Sequence, residues 1–234
     1  MNCVAECEYC RSVNVCIDSP NCNTTGHFCT KLNRLVSINK PVDEDCPFHI
    51  GHLSMITSAL NSKQVESVMV IVAYKNPWKE EYSAGFNSRF NLTLEGCKGL
   101  FKDVTVTAIE GRLANTLHRP PYTFEVLEHI KSLEPENEFY IITSDETFSE
   151  IENWYHGKKL LEENDFLLIH REGFVQNFHK SIKCKSCTYI KSEFNLEVSS
   201  TKIRDMLFRK INPVPFISAD QYYYIQWNYL YEKL

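Results

Sequence analysis

The sequence predicts an α/β fold, built as a parallel sheet with helices on both faces. Short, continuously apolar runs rich in β-branched residues are typical of strands buried on both faces, and Ser67–Tyr74 is the clearest of them. Longer stretches between the runs carry apolar residues on one helical face, as at Leu53, Ile56 and Leu60. Strands and helices that alternate in this way indicate parallel strands joined by right-handed helical crossovers.

The regular elements begin near Leu32 and continue to the end of the chain. We expect strands at Arg34–Asn39, Ser67–Tyr74, Val104–Ile109, Phe139–Thr143, Asp165–His170 and Phe194–Val198. We expect helices at Gly51–Ser62, Asn87–Phe101, Thr123–Leu133, Ser200–Arg209 and Ala219–Lys233. Additional helical sequence lies between Thr143 and Asp165. Because ligands bind outside the carboxyl ends of parallel strands, functional residues should follow strands and begin helices.

Composition limits the class of protein. The chain has 234 residues and a net charge of −5, and 43% of its residues are hydrophobic and 24% charged, as in an ordinary soluble domain. The longest apolar run, Val68–Ala73, is far too short to cross a bilayer, so we expect no membrane association. The acidic balance argues against a nucleic-acid partner and leaves small anionic molecules as ligands. The composition leaves open whether the protein forms a homo-oligomer.

The first 31 residues form a Cys-rich N-terminal extension, which we separate from a main domain of residues 32–234. Seven of the ten cysteines lie within the first 46 residues. The N-terminus has neither a basic region nor a long apolar stretch, so we predict no signal peptide and a cytoplasmic protein. In that compartment cysteines are reduced or bound to metal more often than they form disulfides.

Two pairs of cysteines have the spacing of a zinc site. A gap of two residues lets both thiolates reach one tetrahedral Zn²⁺, and it separates Cys7 from Cys10 and Cys184 from Cys187. The chain enters its first and last strands at the end of the sheet opposite the ligand site, so the two pairs could form one structural site there. The alternatives leave the thiols unliganded, or draw ligands from Cys3, Cys16, Cys22, His27 and Cys29.

The strongest local signal for chemistry is Pro47-Phe48-His49-Ile50-Gly51-His52-Leu53. The two histidines are three residues apart at a helix start, so they project from one face. A helix N-terminus favours a phosphate through its N–H groups and dipole, and Gly51 would let a ligand approach the backbone. Imidazoles there can donate hydrogen bonds as charge moves onto a leaving pyrophosphate. The alternative interpretation is that both histidines are surface residues at a helix cap.

A second signal, Val198-Ser199-Ser200-Thr201-Lys202-Ile203-Arg204, lies near the far end of the chain. Ser-Ser-Thr after a strand is typical of a helix N-cap, and Arg204 follows within the first turn. Hydroxyls, backbone N–H groups and a guanidinium fork at one place can bind a triphosphate. The alternative is a plain helix cap followed by a solvated basic residue.

Together, the early His-x-Gly-His and the late Ser-Ser-Thr-x-Ile-Arg resemble the paired signatures of the HxGH nucleotidyltransferase superfamily. The middle of the chain resembles one branch of it, the nicotinate and nicotinamide-nucleotide adenylyltransferases. The blocks that carry this resemblance are Lys75–Glu80 with Arg89, Pro121–Leu127, Tyr140–Asp145, Trp154, His170–Gly173 and Tyr222–Tyr231. They stand in the family's order, and the resemblance covers about residues 32–234. The Pro-Phe-His-x-Gly-His-Leu form looks closer to the archaeal-type nicotinamide branch.

The resemblance implies a Rossmann-like fold and an adenylyltransferase of NAD biosynthesis. Such an enzyme joins nicotinate or nicotinamide mononucleotide to the AMP part of ATP and releases pyrophosphate. The resemblance implies catalysis by His49 and His52. The residues that it implies for binding ATP, which enters with Mg²⁺, are His49, His52, Asp145 (to the ribose), Ser199, Ser200, Thr201 and Arg204. Those that it implies for the mononucleotide are Lys79, Thr123, Trp154 (stacked on the pyridine ring) and Arg171.

The sequence departs from the family at two places. Where the family has a Gly-rich stretch before the conserved Pro, this chain has Val42-Asp43-Glu44-Asp45-Cys46, whose three carboxylates would repel a triphosphate unless Mg²⁺ intervenes. Thr143 also replaces a family Gly before Asp145. Two alternatives therefore stay open. One is a nucleotidyltransferase for another acceptor, such as phosphopantetheine or a phospho-alcohol with CTP, and the other is a non-catalytic nucleotide-binding or metal-binding protein.

Overall fold

The computed structural model describes residues 34–38 (as backbone), 47–75, 84–99, 102–170, 182–192 and 198–232. Its strands are β1 (Arg34–Ile38), β2 (Val68–Ile71), β3 (Val104–Thr107), β4 (Glu138–Ser144), β5 (Asp165–His170) and β6 (Ser186–Lys191). Its helices are α1 (Ile50–Asn61), α2 (Phe86–Cys97), α3 (Ile109–Leu117), α4 (Thr123–Leu133), α5 (Asp145–Glu150), α6 (Gly157–Glu163), α7 (Ser200–Phe208) and α8 (Ala219–Trp227). A 3₁₀ turn, Ile151–Asn153, follows α5.

The strands form one sheet with the order β3-β2-β1-β4-β5-β6, and every pairing between them is parallel. From β1 the chain moves outward to β3, then returns to β4 beside β1 and moves outward in the other direction. The order therefore reverses between β1 and β4, where sheets of this kind open a crevice at the carboxyl ends. This arrangement confirms the predicted α/β fold with a parallel sheet.

Helices cover both faces of the sheet. On one face, Val70 of β2 and Leu167 of β5 pack against Ile56 of α1. On the other face, Met69 packs against Val126 of α4. Because successive strand residues point to opposite faces, burial on both sides explains why these strands appear in the sequence as continuous apolar runs. Each such side chain contributes about 1.5–3 kcal/mol to folding through burial.

The C-terminal helices form a smaller cluster beside the sheet. Ile203 of α7 and Ile225 of α8 are fully buried and pack with Leu92 of α2. The segment between α7 and α8 also reaches the start of α1, because the Ile50 N–H donates to the Phe216 carbonyl at 2.9 Å. Within the described residues, no helix is both long enough and apolar enough to cross a membrane.

Several expectations about the elements need correction. The helices expected at Asn87–Phe101 and Ala219–Lys233 end at Cys97 and Trp227. The strand expected at Val104–Ile109 ends at Thr107, and Ile109 begins α3, a helix that the sequence analysis does not predict. Gly111 lies within this helix, and because glycine is unfavourable inside helices, the sequence does not indicate one there. An added Cβ there would lie 2.6 Å from a ring carbon of Phe86, so glycine is needed for α2 and α3 to pack.

The sequence analysis also does not predict β6. This strand is at the edge of the sheet and is only half-buried, so its residues form no continuous apolar run. The strand expected at Phe194–Val198 falls mostly outside the described residues, and Val198 is not in a strand. Cys187 therefore lies within β6 and Cys184 just before it. The Cys-rich extension, residues 1–31, lies outside the described residues.

Candidate active site

The predicted ATP-binding residues lie at the carboxyl edge of the sheet, on segments that follow its strands. β4 runs directly into Asp145, the first residue of α5. His49 is the N-cap of α1, the first described helix after β1. Ser199 is the N-cap of α7, the first described helix after β6. β1 and β4 flank the reversal of strand order, so these groups stand where the topology predicts a ligand.

His49 is buried, with 5% of its surface exposed. Its backbone is extended (φ −142°, ψ 172°), as is usual for an N-cap residue. The ring Nδ1 accepts a hydrogen bond from the Gly51 N–H at 3.0 Å. Because Nδ1 is an acceptor, the proton of the neutral ring is on Nε2. That nitrogen faces the Ser200 hydroxyl, 3.4 Å away.

His52 is held in the same tautomer as His49. Its Nδ1 accepts a hydrogen bond from the His49 N–H at 3.1 Å, so Nε2 again carries the proton. The two imidazole centroids are 4.0 Å apart, and the His52 ring stacks on Phe48 at 5.2 Å. The alternative interpretation is therefore correct that the pair caps a helix, but wrong that both are surface residues, because His49 is buried. Because the cap uses Nδ1 of each ring, it also fixes the direction of each Nε2–H donor.

Gly51 is required for a reason that differs from the expected one. We expect from sequence that it leaves room for a ligand. In the structure, an added Cβ would lie 2.8 Å from Cε1 of His49 and 3.1 Å from Cγ1 of Val198. The space is therefore filled by the protein itself, and the glycine allows the His49 ring to fold back over the N–H that it caps.

The N-terminus of α7 meets that of α1. The Ser199 Oγ accepts a hydrogen bond from the Lys202 N–H at 3.2 Å, which confirms the predicted N-cap. Ser200 is buried and places its hydroxyl beside His49. Two helix starts, from residues 151 positions apart in the chain, therefore converge on one place. The dipoles of the two helices together favour an anion there. The N–H groups at the start of α1 are already bound within the protein, because Ile50 donates to the Phe216 carbonyl and Gly51 to His49 Nδ1, so the expectation that they bind phosphate needs correction.

Thr201 and Arg204 lie on neighbouring turns of α7. The Arg204 guanidinium donates to the Thr201 hydroxyl from Nη2 at 3.3 Å. This contact holds the guanidinium beside the start of α7. A fork of N–H donors at that position can bind phosphate oxygens.

Asp145 and His170 form a pair at the carboxyl edge. The Asp145 Oδ2 is 2.7 Å from Nδ1 of His170, and the carboxylate is buried. Ser144 pairs with Ile169 in the neighbouring strands, which brings the next residue of each strand side by side. The sequence analysis gives His170 no role. Its place at the end of a buried strand, next to the strand that ends at Asp145, is the signal that could have identified it.

The predicted mononucleotide residues Thr123 and Trp154 are brought close through their neighbours. Tyr122 stacks on Tyr155, with ring centroids 4.4 Å apart and 19° between the planes. Trp154 is half-buried and packs against the apolar cluster beside β5. The tryptophan therefore has a packing role whatever it binds. The two tyrosines are flat surfaces that the sequence analysis missed.

Arg89 is a buried structural residue. Its guanidinium donates to the backbone carbonyls of Ala84, Ala73 and Tyr74 at 3.2, 2.5 and 2.7 Å. It thereby ties together the two sides of segment 76–83, which contains Lys79 and lies outside the described residues. Arg171 and the acidic departure at residues 42–46 also lie outside them.

The proposed zinc ligands are divided between described and undescribed parts of the chain. Cys184 and Cys187 lie at the amino end of β6, away from the ligand edge, and burial raises the pKa of the Cys187 thiol to about 12. Two thiols make only half of a tetrahedral site, and Cys7 and Cys10 lie outside the described residues. Within the part of the chain that the structure describes, no group of three or more His, Cys, Asp or Glu side chains could hold a metal ion.

Several known proteins are similar to this chain. A probable nicotinate-nucleotide adenylyltransferase of Carboxydothermus hydrogenoformans is 28% identical over 195 residues, which is 79% of this chain and 92% of the relative. A protein of the same name from Aliarcobacter butzleri is 25% identical, over 71% of this chain and 85% of its own length. Among solved structures, Plasmodium falciparum nicotinic acid mononucleotide adenylyltransferase complexed with NaAD superposes with a TM-score of 0.70 at 19% identity. The superposition covers 85% of the chain described here and 98% of the Plasmodium falciparum chain.

A match to a protein-family model shows the family to which the chain belongs. The cytidylyltransferase-like model matches residues 47–206, well over half of the chain. The match begins just before His49 and ends just after Arg204, so it spans both helix starts that meet at the carboxyl edge. The chain therefore belongs to the cytidylyltransferase-like family.

Proposed function

We propose that this protein is an adenylyltransferase that joins nicotinate or nicotinamide mononucleotide to the AMP part of ATP and releases pyrophosphate, a step of NAD biosynthesis. The names of its relatives support this activity. The observation that carries the proposal is the meeting of His49 with Ser200, 3.4 Å apart at two converging helix starts. That arrangement suits the phosphates of a nucleoside triphosphate.

The proposed reaction is an in-line displacement at the α-phosphorus of ATP. An oxygen of the mononucleotide phosphate attacks, and the bond from the α-phosphorus to the bridging oxygen of pyrophosphate breaks. The attacking oxygen is already anionic, so the step needs neither a base nor a covalent intermediate. Catalysis then depends on positioning and charge stabilisation. The Nε2–H groups of His49 and His52 would donate to the phosphate oxygens on which charge increases.

The other residues proposed to bind ATP lie at the same carboxyl edge of the sheet. The residues that would hold the triphosphate with the N–H groups of α7 are Ser199, Ser200, Thr201 and Arg204. Asp145, oriented by His170, would accept a hydrogen bond from a ribose hydroxyl. ATP would enter as its Mg²⁺ complex, because Mg²⁺ at such sites is held largely by substrate phosphates and water.

The mononucleotide would lie against Thr123 and Trp154, with Lys79 and Arg171 as donors to its phosphate. Two observations disagree on whether the mononucleotide carries nicotinate or nicotinamide. The motif around His49 is closer to the nicotinamide branch, whereas the relatives are named for nicotinate. The substrate assay below therefore includes both.

We further propose that residues 1–31 form an extension to the catalytic domain of residues 32–234, and that the protein works in the cytoplasm. In this proposal, Cys184 and Cys187 share a structural Zn²⁺ with Cys7 and Cys10. The thiols would lose their protons on binding the metal.

The test is release of pyrophosphate from ATP with a panel of acceptors. We expect release that depends on nicotinate or nicotinamide mononucleotide. Release with phosphopantetheine, or from CTP with a phospho-alcohol, would assign another acceptor. ATP binding without release for any acceptor would make the protein a non-catalytic nucleotide-binding member of the family.

A further inference from the structure

A buried amide connects the last helix to the backbone just before the histidine pair. Gln221 lies in the first turn of α8 and is 2% exposed. Its Nε2 donates to the Phe48 carbonyl at 2.8 Å and to the Leu92 carbonyl at 2.9 Å. Its Oε1 accepts from the Ser218 N–H at 2.9 Å. Both hydrogens of the amide are used, so the side chain is held in one orientation.

The same C-terminal segment also holds the other side of His49. The Ile50 N–H donates to the Phe216 carbonyl at 2.9 Å. His49 therefore lies between two residues, Phe48 and Ile50, whose backbone is bound by residues 216–221. The contact from Gln221 spans 173 positions of the chain, so neither α1 nor its own loop supplies it.

The packing around Gln221 leaves little room for adjustment. A Cβ added at Gly96 of α2 would lie 2.4 Å from Cδ1 of Phe48 and 2.8 Å from Nε2 of Gln221. The Phe48 ring and the Gln221 amide therefore lie directly against the α2 backbone. A buried carbonyl that loses its donor keeps the cost of its lost hydration. In a space this full, the Phe48 peptide can regain a partner only by turning.

We propose that Gln221 is a positioning residue for the histidine pair. Its amide fixes the Phe48–His49 peptide, and the His49 N–H of that peptide in turn orients the His52 ring through Nδ1. Gln221 thereby sets the direction of the Nε2–H donor of His52 without touching a substrate. The inference rests on the proposed function, because it gives this donor its role in adenylyl transfer.

The test compares three variants by kcat per folded protein. Gln221→Met keeps the length of the side chain but loses both amide donors, and also the Oε1 that accepts from the Ser218 N–H at the start of α8. Gln226→Met makes the same change at an exposed position of the same helix. Ile225→Ala removes a fully buried side chain of α8 and controls for loss of stability. Because misplacement by about 1 Å can cost about 10²-fold in rate, we expect Gln221→Met to lower kcat roughly 10-fold to 100-fold. Ile225→Ala and Gln226→Met should keep the wild-type kcat per folded protein.

Imidazole nitrogen NMR provides a readout that does not require turnover. We expect both rings in the wild type to be Nε2–H tautomers, and Gln221→Met to give a mixture of tautomers at His52. The tautomer of His49 should change less, because its Nδ1 accepts from the Gly51 N–H. If wild-type protein proves inactive with every acceptor but the tautomers change, the positioning role holds and the proposed function fails. If the wild type is active and Gln221→Met retains its kcat and its tautomers, or loses kcat only as Ile225→Ala does, the positioning role is overturned.

Discussion

His52 gives the sharpest prediction, because its helix cap uses Nδ1 while the proposed catalytic role would use Nε2. In His52→Ala the Nε2–H donor is lost, and removing one donor to a developing charge typically costs about 2.7–4 kcal/mol of transition-state stabilisation, or roughly 10²–10³ in kcat. The hydrogen bond from the His49 N–H to Nδ1 is lost as well. Loss of a helix cap costs about 1 kcal/mol of folding stability. The expected loss of activity is therefore larger than the loss of stability.

The assay is pyrophosphate release at saturating ATP and mononucleotide, with stability measured by urea unfolding. His129→Ala, a histidine change within α4, serves as the control and should leave kcat unchanged. His52→Gln supplies an ordinary capping residue at the same helix position, so it should regain most of the stability but not the turnover. Near wild-type turnover in His52→Ala, or full recovery of turnover in His52→Gln, would show that His52 is only a helix cap.

Three further predictions address other parts of the molecule. Trp154→Ala should raise KM for the mononucleotide and leave KM for ATP nearly unchanged, whereas the exposed Trp227→Ala should change neither; a matched rise in both KM values would show that Trp154 only packs. The protein should purify with about one zinc ion per chain, and the Cys184→Ser variant should lose it. If elemental analysis finds no zinc, the site does not exist; if Cys184→Ser retains zinc, the N-terminal extension alone binds it. Thr143 is buried, and its hydroxyl has no hydrogen-bond partner among the described residues, so Thr143→Val should raise the free energy of unfolding by about 1 kcal/mol; a lower urea midpoint would contradict this.

The parts of the fold that the sequence predicts are those where local signals agree with the tertiary structure. α4 begins and ends at Thr123 and Leu133 in both, because an apolar face coincides with a start signal and Pro135 follows its end. β5, buried on both faces, is also predicted at its observed bounds. α3 and β6 are missed because their sequences reflect contacts from elsewhere. Position 111 of α3 requires glycine because the Phe86 ring packs against it. β6 is half-polar because it lies at the edge of the sheet.

The candidate site shows the same division. The residue types at His49, His52 and Ser200 predict phosphate chemistry, and this prediction needs only two short motifs. The contact between His49 and Ser200 depends on the order of the strands, which no short motif contains. In the sequence, Gln221 is recognisable only as the fourth residue of a Ser-x-x-Gln capping box that begins at Ser218. Its contact with the Phe48 carbonyl depends on the tertiary structure and cannot be predicted from that motif.

The most direct test of the account is the fate of the α-phosphate of ATP. With a radioactive label at the α-phosphorus and nicotinate or nicotinamide mononucleotide as acceptor, we expect the label in a dinucleotide. A label at the β- or γ-phosphorus should appear in pyrophosphate. The His52→Ala protein should transfer the α-label roughly 10²-fold more slowly. An α-label that remains in ATP with both mononucleotides, or that appears in free AMP whether or not an acceptor is present, would contradict adenylyl transfer.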